Sequence, residues 1–164
     1  MPRLALFVIA VALATGACKK DAPVPPGDIA ARLALPTLAG AAFDPSTLDG
    51  KPTVVMFWRP TCPHCLEELP DVARACKDKG ANAVAVMVVG SKEAAERALT
   101  GAGWEGAALV DDGALRKGLD IKAVPYTLVL RPDGTAARAF VGRQSYGTIT
   151  AAMPPRADSR QRDR

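Results

Sequence analysis

Pro52-Thr53-Val54-Val55-Met56-Phe57-Trp58-Arg59-Pro60-Thr61-Cys62-Pro63-His64-Cys65-Leu66-Glu67-Glu68-Leu69-Pro70 carries two periods in succession. Residues 52–58 are a continuous β-branched and aromatic run, the pattern of a strand buried on both faces. Leu66, Leu69, Ala73 and Cys76 then recur at helical spacing, so the chain passes from strand to helix across the two cysteines. Cys62 falls just ahead of the first turn, where unpaired backbone N–H groups and the positive end of the helix dipole favour a thiolate. Cys65 lies one turn in, close enough to close a small disulfide ring.

Outward from this junction the chain reads as alternating strands and helices. On the N-terminal side, residues 33–43 read as a short hairpin and Asp44-Pro45-Ser46 opens a turn. On the C-terminal side, Pro70 is expected to kink the first helix and Gly80 to end it. Residues 83–89 form the next buried strand, Ser91 caps a helix with Glu93 in its first turn, and Gly101-Ala102-Gly103 stops it. A strand at 107–110, a turn at Asp111-Asp112-Gly113 and a short helix from Leu115 to Leu119 follow. Strands 126–130 and 136–141 flank the hairpin signal Pro132-Asp133-Gly134, and a last helix runs from Ser145 to Met153. The alternation predicts right-handed crossovers and a parallel sheet with an antiparallel edge, in one α/β domain spanning 29–152.

The termini read differently. Arg3 precedes an unbroken apolar run from Leu4 to Leu13, and small residues lead up to Cys18. This is an export signal over residues 1–17, too short to span a membrane. Small residues directly before a cysteine resemble the lipobox of bacterial lipoproteins, which makes Cys18 the expected lipidation site. Ordinary cleavage near Ala17 is the alternative. Residues 18–28, with Pro23, Pro25 and Pro26, read as anchor and flexible tether, and 153–164 as a disordered tail. The formal charge of +4 in 164 residues is mild and partly confined to that tail. No aromatics are interleaved with its arginines, so nucleic acid is not an expected partner.

The residues resemble the thioredoxin-like thiol-disulfide oxidoreductases, and within them the extracytoplasmic TlpA/ResA-like branch. The resemblance rests on the strand ending Phe57-Trp58, on Cys62-x-x-Cys65-x-x-Glu68-x-Pro70, and on Val124-Pro125 followed by a strand and Pro132-Asp133-Gly134. It implies a thioredoxin-like fold, a central mixed β-sheet flanked by helices with an N-terminal β-hairpin extension. It also implies an enzyme that exchanges disulfides on exported proteins through a Cys62–Cys65 disulfide, with no bound cofactor. Cys62 is then the nucleophile and Cys65 the resolving thiol. Pro63 and His64 would tune the redox pair, a protonated His64 favouring the Cys62 thiolate. Val124 and Pro125 resemble the cis-proline loop that faces the active site, and with Trp58 and Tyr126 would shape the substrate groove. Thr61 stands where tryptophan usually precedes the first cysteine, removing an apolar wall. Met56 stands where thioredoxin has a buried aspartate. Glu68 is the acid of the TlpA/ResA branch and the candidate for assisting proton transfer at Cys65, against a plain reading as a solvated helix carboxylate beside Glu67.

Partners implied by the resemblance are an exported thiol or disulfide protein such as apocytochrome c, a membrane thiol-disulfide transporter as electron source, and the membrane itself through the lipid anchor. The expected location is the periplasmic side of a bacterial membrane. Two rivals stay open. The Cys-Pro-His-Cys sequence is that of the oxidant DsbA, but the stretch from Cys65 to Pro125 is too short for DsbA's inserted helical domain. A Sco-like copper-delivery module shares the fold, but it normally needs a longer cysteine spacing and a distant histidine, and His64 is the only histidine. Cys76 lies about 16 Å beyond Cys65 along one helix, outside the roughly 7 Å Cα reach of a disulfide, and reads as a small core residue.

Overall fold

The computed structural model describes residues 20–155. The export signal, Cys18 and the tail from residue 156 therefore lie outside the described residues. Among the described residues the sheet has six strands, in the order β1-β6-β5-β2-β3-β4. These are β1 (Lys20–Asp21), β2 (Thr53–Trp58), β3 (Asn82–Met87), β4 (Ala107–Val110), β5 (Tyr126–Leu130) and β6 (Ala136–Val141). Strands β2, β3 and β4 are mutually parallel, while β5 runs antiparallel to β2 and β6 antiparallel to β5. The helices are α1 (Pro63–Lys79), α2 (Lys92–Gly101), α3 (Ala114–Gly118) and α4 (Tyr146–Ala152). This is the expected mixed sheet flanked by helices.

Every residue of β2 is buried, as its β-branched and aromatic run requires. Its pleat divides the core in two. Val55 and Phe57 face one side with Val84, Val86, Leu128 and Leu130, under Ile29, Leu33 and Leu115. Val54, Met56 and Trp58 face the other with Val129, under Leu69 and Val72 of α1 and Ile149 of α4. The cysteines belong to this second side. Helix α1 is set by its ends: Cys62 is the N-cap, Pro63 takes the first position, where its missing N–H costs nothing, and Gly80 closes the helix at φ 58°. The helix continues through Pro70 to Lys79 as one element.

Three local expectations change. Residues 20–22 fall in the stretch read as a loose tether, yet they lie along β6. Lys20 pairs with Val141, Asp21 with Phe140, and Ala22 N–H donates to Ala139 O at 2.9 Å. The free edge of β6 presents unpaired backbone groups, and an extended segment satisfies them. The N-terminal hairpin is reduced to a single bridge, Pro36 with Ala42. Its first arm still covers the β4 edge through the Thr37–Leu109 bridge and the bond from Val110 N–H to Pro36 O, 2.8 Å. The strand expected to reach Val89 stops at Met87, and Val89 is 60% exposed. The chain leaves the sheet there at Gly90 (φ 143°), where a Cβ would sit 2.6 Å from the Pro60 ring.

Candidate functional site

The strand-to-helix junction sets the geometry of the pair. Cys62 and Cys65 are joined as a disulfide with their Cα atoms 5.2 Å apart. As N-cap, Cys62 turns its Sγ onto the first helical turn, where it accepts the Cys65 backbone N–H at 3.3 Å. That donor, with the dipole of a long helix behind it, would stabilise a Cys62 thiolate. Cys62 keeps 6% of its surface exposed while Cys65 has none. An incoming group therefore reaches Cys62 first.

Val124–Pro125 is a cis peptide. The Val124 carbonyl oxygen lies 3.8 Å from Cys62 Sγ, so this loop and the cysteine form one surface. Neither Trp58 nor Tyr126 shares it. Trp58 is fully buried, and Tyr126 is only 6% exposed. The alternation of β2 sends Trp58 into the core beneath the cysteines. Tyr126 faces the opposite side, edge-on to Phe57 with ring centroids 6.2 Å apart, and burial pushes its hydroxyl pKa up. The expectation that these two rings shape the substrate groove is corrected on that ground.

Glu68 is not a solvated carboxylate. It has no exposed surface. One carboxyl oxygen accepts the Thr127 hydroxyl at 2.6 Å, the other the Gln144 backbone N–H at 2.9 Å. Burial pushes its pKa up to about 7, against the lowering effect of those two donors and of the Arg143 charge. Glu68 follows Cys65 by three positions on α1, which places the two side chains on neighbouring parts of one helix face. Thr127 and Gln144 escaped the sequence reading. The phase of β5 gave a signal for Thr127, two residues from Val129 and so on the same face, whereas Gln144 contributes a backbone donor that no residue type announces.

His64 stands in solvent, 72% exposed, with its Nδ1 3.6 Å from Glu67. The same carboxylate meets Arg143 at 3.4 Å, and Arg143 also reaches Asp71 at 3.7 Å. Any positive charge on His64 thus faces an anion one turn away. Cys76 is the one free cysteine among the described residues, buried and near the Asn82 carbonyl at 3.5 Å. Burial pushes its thiol up to about 12, which removes it from the chemistry. Among the described residues no three His, Cys, Asp or Glu side chains gather as a metal site, and no helix is long and apolar enough to cross a membrane.

The AhpC/TSA family model matches residues 26–152, which takes in the whole sheet apart from β1. The chain belongs to the AhpC/TSA family. Among solved structures it is similar to a secreted Mycobacterium tuberculosis disulfide oxidoreductase homologous to E. coli DsbE, at 26% identity and TM-score 0.67, covering 77% of this chain and 97% of that one. It is also similar to M. tuberculosis DsbF, a structure of mixed oxidised and reduced forms, at 27% identity and TM-score 0.65, covering 74% and 94%. The soluble secreted antigen MPT53 of M. tuberculosis is 50% identical over 38 residues, 23% of this chain. That match spans only 22% of the antigen's length.

Proposed function

We propose that this AhpC/TSA-family chain is a thiol-disulfide oxidoreductase of the TlpA/ResA type, reducing disulfides of exported proteins. The observation that carries the reading is the Cys62–Cys65 disulfide at the mouth of α1, with the more exposed sulfur beneath the Val124 carbonyl. Similarity above 25% identity to a secreted disulfide oxidoreductase, and to DsbF in mixed oxidised and reduced forms, supports it. In the reduced protein the Cys62 thiolate attacks a substrate disulfide, forming a Cys62–substrate bond and releasing one substrate thiolate. Cys65, deprotonated with help from Glu68, then attacks Cys62 Sγ. The second substrate thiolate leaves, and two electrons have passed from the protein to the substrate.

The reductive direction is favoured over a DsbA-like one by the surroundings of His64. An exposed imidazole paired with Glu67 adds little to the thiolate stabilisation that would make the pair oxidising. A buried acid with a pKa of about 7 beside the resolving cysteine suits a thiol that must repeatedly lose and regain a proton near neutral pH. The export signal, lipidation at Cys18, and a membrane thiol-disulfide transporter as electron source complete the proposal, with apocytochrome c among its candidate substrates. The test is a pair of variants: Cys62→Ser abolishes insulin reduction, whereas Cys65→Ser accumulates mixed disulfides with partners. Labelling of Cys65 ahead of Cys62 by an alkylating agent at mildly acidic pH would reverse the two roles.

A further inference from the structure

A cleft of about 260 Å³ opens where the segment after β3 meets the segment before β5. Arg59, Arg116 and Lys122 border it, and Val88, Val89 and Val124 supply its apolar wall. The three cations come from separate parts of the chain: Arg59 follows β2, Arg116 sits on α3, and Lys122 precedes Val124. Lys122 is ion-paired with Asp120. The guanidinium groups of Arg59 and Arg116 have no acidic partner among the described residues. Among the described residues no acid lines the cleft.

Arg116 is held there from below. Asp111, 3% exposed, accepts the backbone N–H groups of Gly113, Leu115 and Arg116 at 3.0, 3.1 and 2.9 Å, so its carboxylate is spent on fixing the start of α3. Val124 joins this cleft to the chemistry, since its carbonyl oxygen is also the atom 3.8 Å from Cys62 Sγ. A polypeptide advances about 3.3 Å per residue when extended. A chain that presents its sulfur to Cys62 and runs past Val124 therefore carries its neighbouring side chains over the cleft.

We propose that this cleft is a subsite for an aspartate or glutamate side chain one or two residues from the reacting cysteine of a polypeptide substrate. The inference rests on the exchange reaction proposed above. Its carboxylate meets Arg59 and Arg116, while its methylene groups cover the exposed Val89. Substrate selection by this protein is then partly electrostatic: acidic sequence around the cysteine is accepted and basic sequence is repelled.

The experiment uses the reduced protein and three short peptides that differ only in carrying Glu, Gln or Lys two residues from a single cysteine. Each cysteine is capped as a mixed disulfide with 2-mercaptoethanol. Cys62 attacks the peptide sulfur, mercaptoethanol leaves, and Cys65 then releases the peptide thiol, leaving the protein disulfide. Rates are expressed relative to neutral bis(2-hydroxyethyl) disulfide, measured on the same protein. The Glu peptide should react about fivefold faster than the Gln peptide, and the Lys peptide slower still. The preference should collapse at high salt and invert in the Arg116→Glu/Lys122→Glu double variant. Equal relative rates for the three peptides, or a preference that survives the double variant, would overturn the subsite. Failure to reduce the neutral disulfide at all would instead overturn the exchange reading. A parallel sedimentation with phosphatidylglycerol vesicles identifies the competing occupant. If the double variant loses vesicle binding while peptide rates stay equal, the cleft reads lipid headgroups and the proposal fails.

Discussion

Replacing Glu68 by glutamine removes the only strongly perturbed acid of the site, and the structure fixes the sign and size of the effect. In the ionised state both carboxyl oxygens accept, from Thr127 and from Gln144. On protonation one oxygen becomes a donor, and the Thr127 hydroxyl can rotate to accept from it. Glutamine reproduces that protonated arrangement, its NH₂ toward Thr127 and its oxygen toward the Gln144 N–H. The carboxyl has an ordinary value of 4.5 and is raised to about 7 in the fold, chiefly by burial. Below both values each state of the chain holds the proton and pH has no effect. Between them the unfolded chain has lost the proton and the folded one has kept it, so stability falls as pH rises; above about 7 the loss is complete. At 1.36 kcal/mol per unit the total is about 3 kcal/mol, roughly 10 °C in melting temperature for a domain of this size. Melting of the oxidised protein from pH 4 to pH 8 should show wild type and Glu68→Gln nearly equal at the acid end, with the variant more stable above neutrality. A constant difference across that range would mean that Glu68 does not titrate where its burial requires, and its role at Cys65 would lose its basis.

Because Glu67 faces His64, removing the carboxylate should expose whatever charge the imidazole carries. Alkylation of Cys62 at pH 5.5 should therefore slow more on His64→Gln in a Glu67→Gln background than in wild type, by about twofold; identical effects in both backgrounds would show that the pair does not influence the thiolate. Cys76, buried with its thiol pushed up to about 12, should resist iodoacetamide in the folded reduced protein and react only in denaturant. Its modification under native conditions, counted by mass spectrometry, would contradict that burial.

How much of this the sequence disclosed follows from the range of the interactions involved. The β2–α1 junction was readable because each signal in it is local: an apolar run, two cysteines, a proline at the first helical position and a glycine at the last. The same holds for Ser91 and Ser145, whose side chains accept the backbone N–H of Ala94 and Thr148. What stayed hidden depends on distant partners. Glu67 and Glu68 are adjacent and identical in type, yet one is half exposed in an ion-pair cluster and the other fully buried. Helix phase sets Glu68 beside Cys65 and Val72, so its burial was compatible with the pattern. Only Thr127 and Gln144, 59 and 76 residues away, decide it. Trp58 misled for the opposite reason: an aromatic next to the motif invites a role in binding, while the strand's own alternation buries it. The β1–β6 pairing had no local signal at all, since a lysine and an aspartate make a poor strand until a free edge is offered.

The placement of the acid has a mechanical consequence. Met56, the residue on the central strand beneath the cysteines, pairs in register with Thr127 of β5, so the hydroxyl that holds Glu68 sits where a strand acid would otherwise have pointed. Glu68 is thereby carried by the helix that carries both cysteines, and it is anchored to β5 through Thr127, two residues after Pro125. The 2.6 Å bond from the Thr127 hydroxyl to Glu68 is the contact that ties β5 to this carboxyl. Because the Thr127 hydroxyl can donate to the carboxylate or accept from the acid, this contact survives a full cycle of proton uptake and release without repacking the core. An aspartate on β2 would have had to titrate from within the sheet itself. With the acid on α1 the central strand carries no ionisable side chain, consistent with the complete burial of every residue from Thr53 to Trp58.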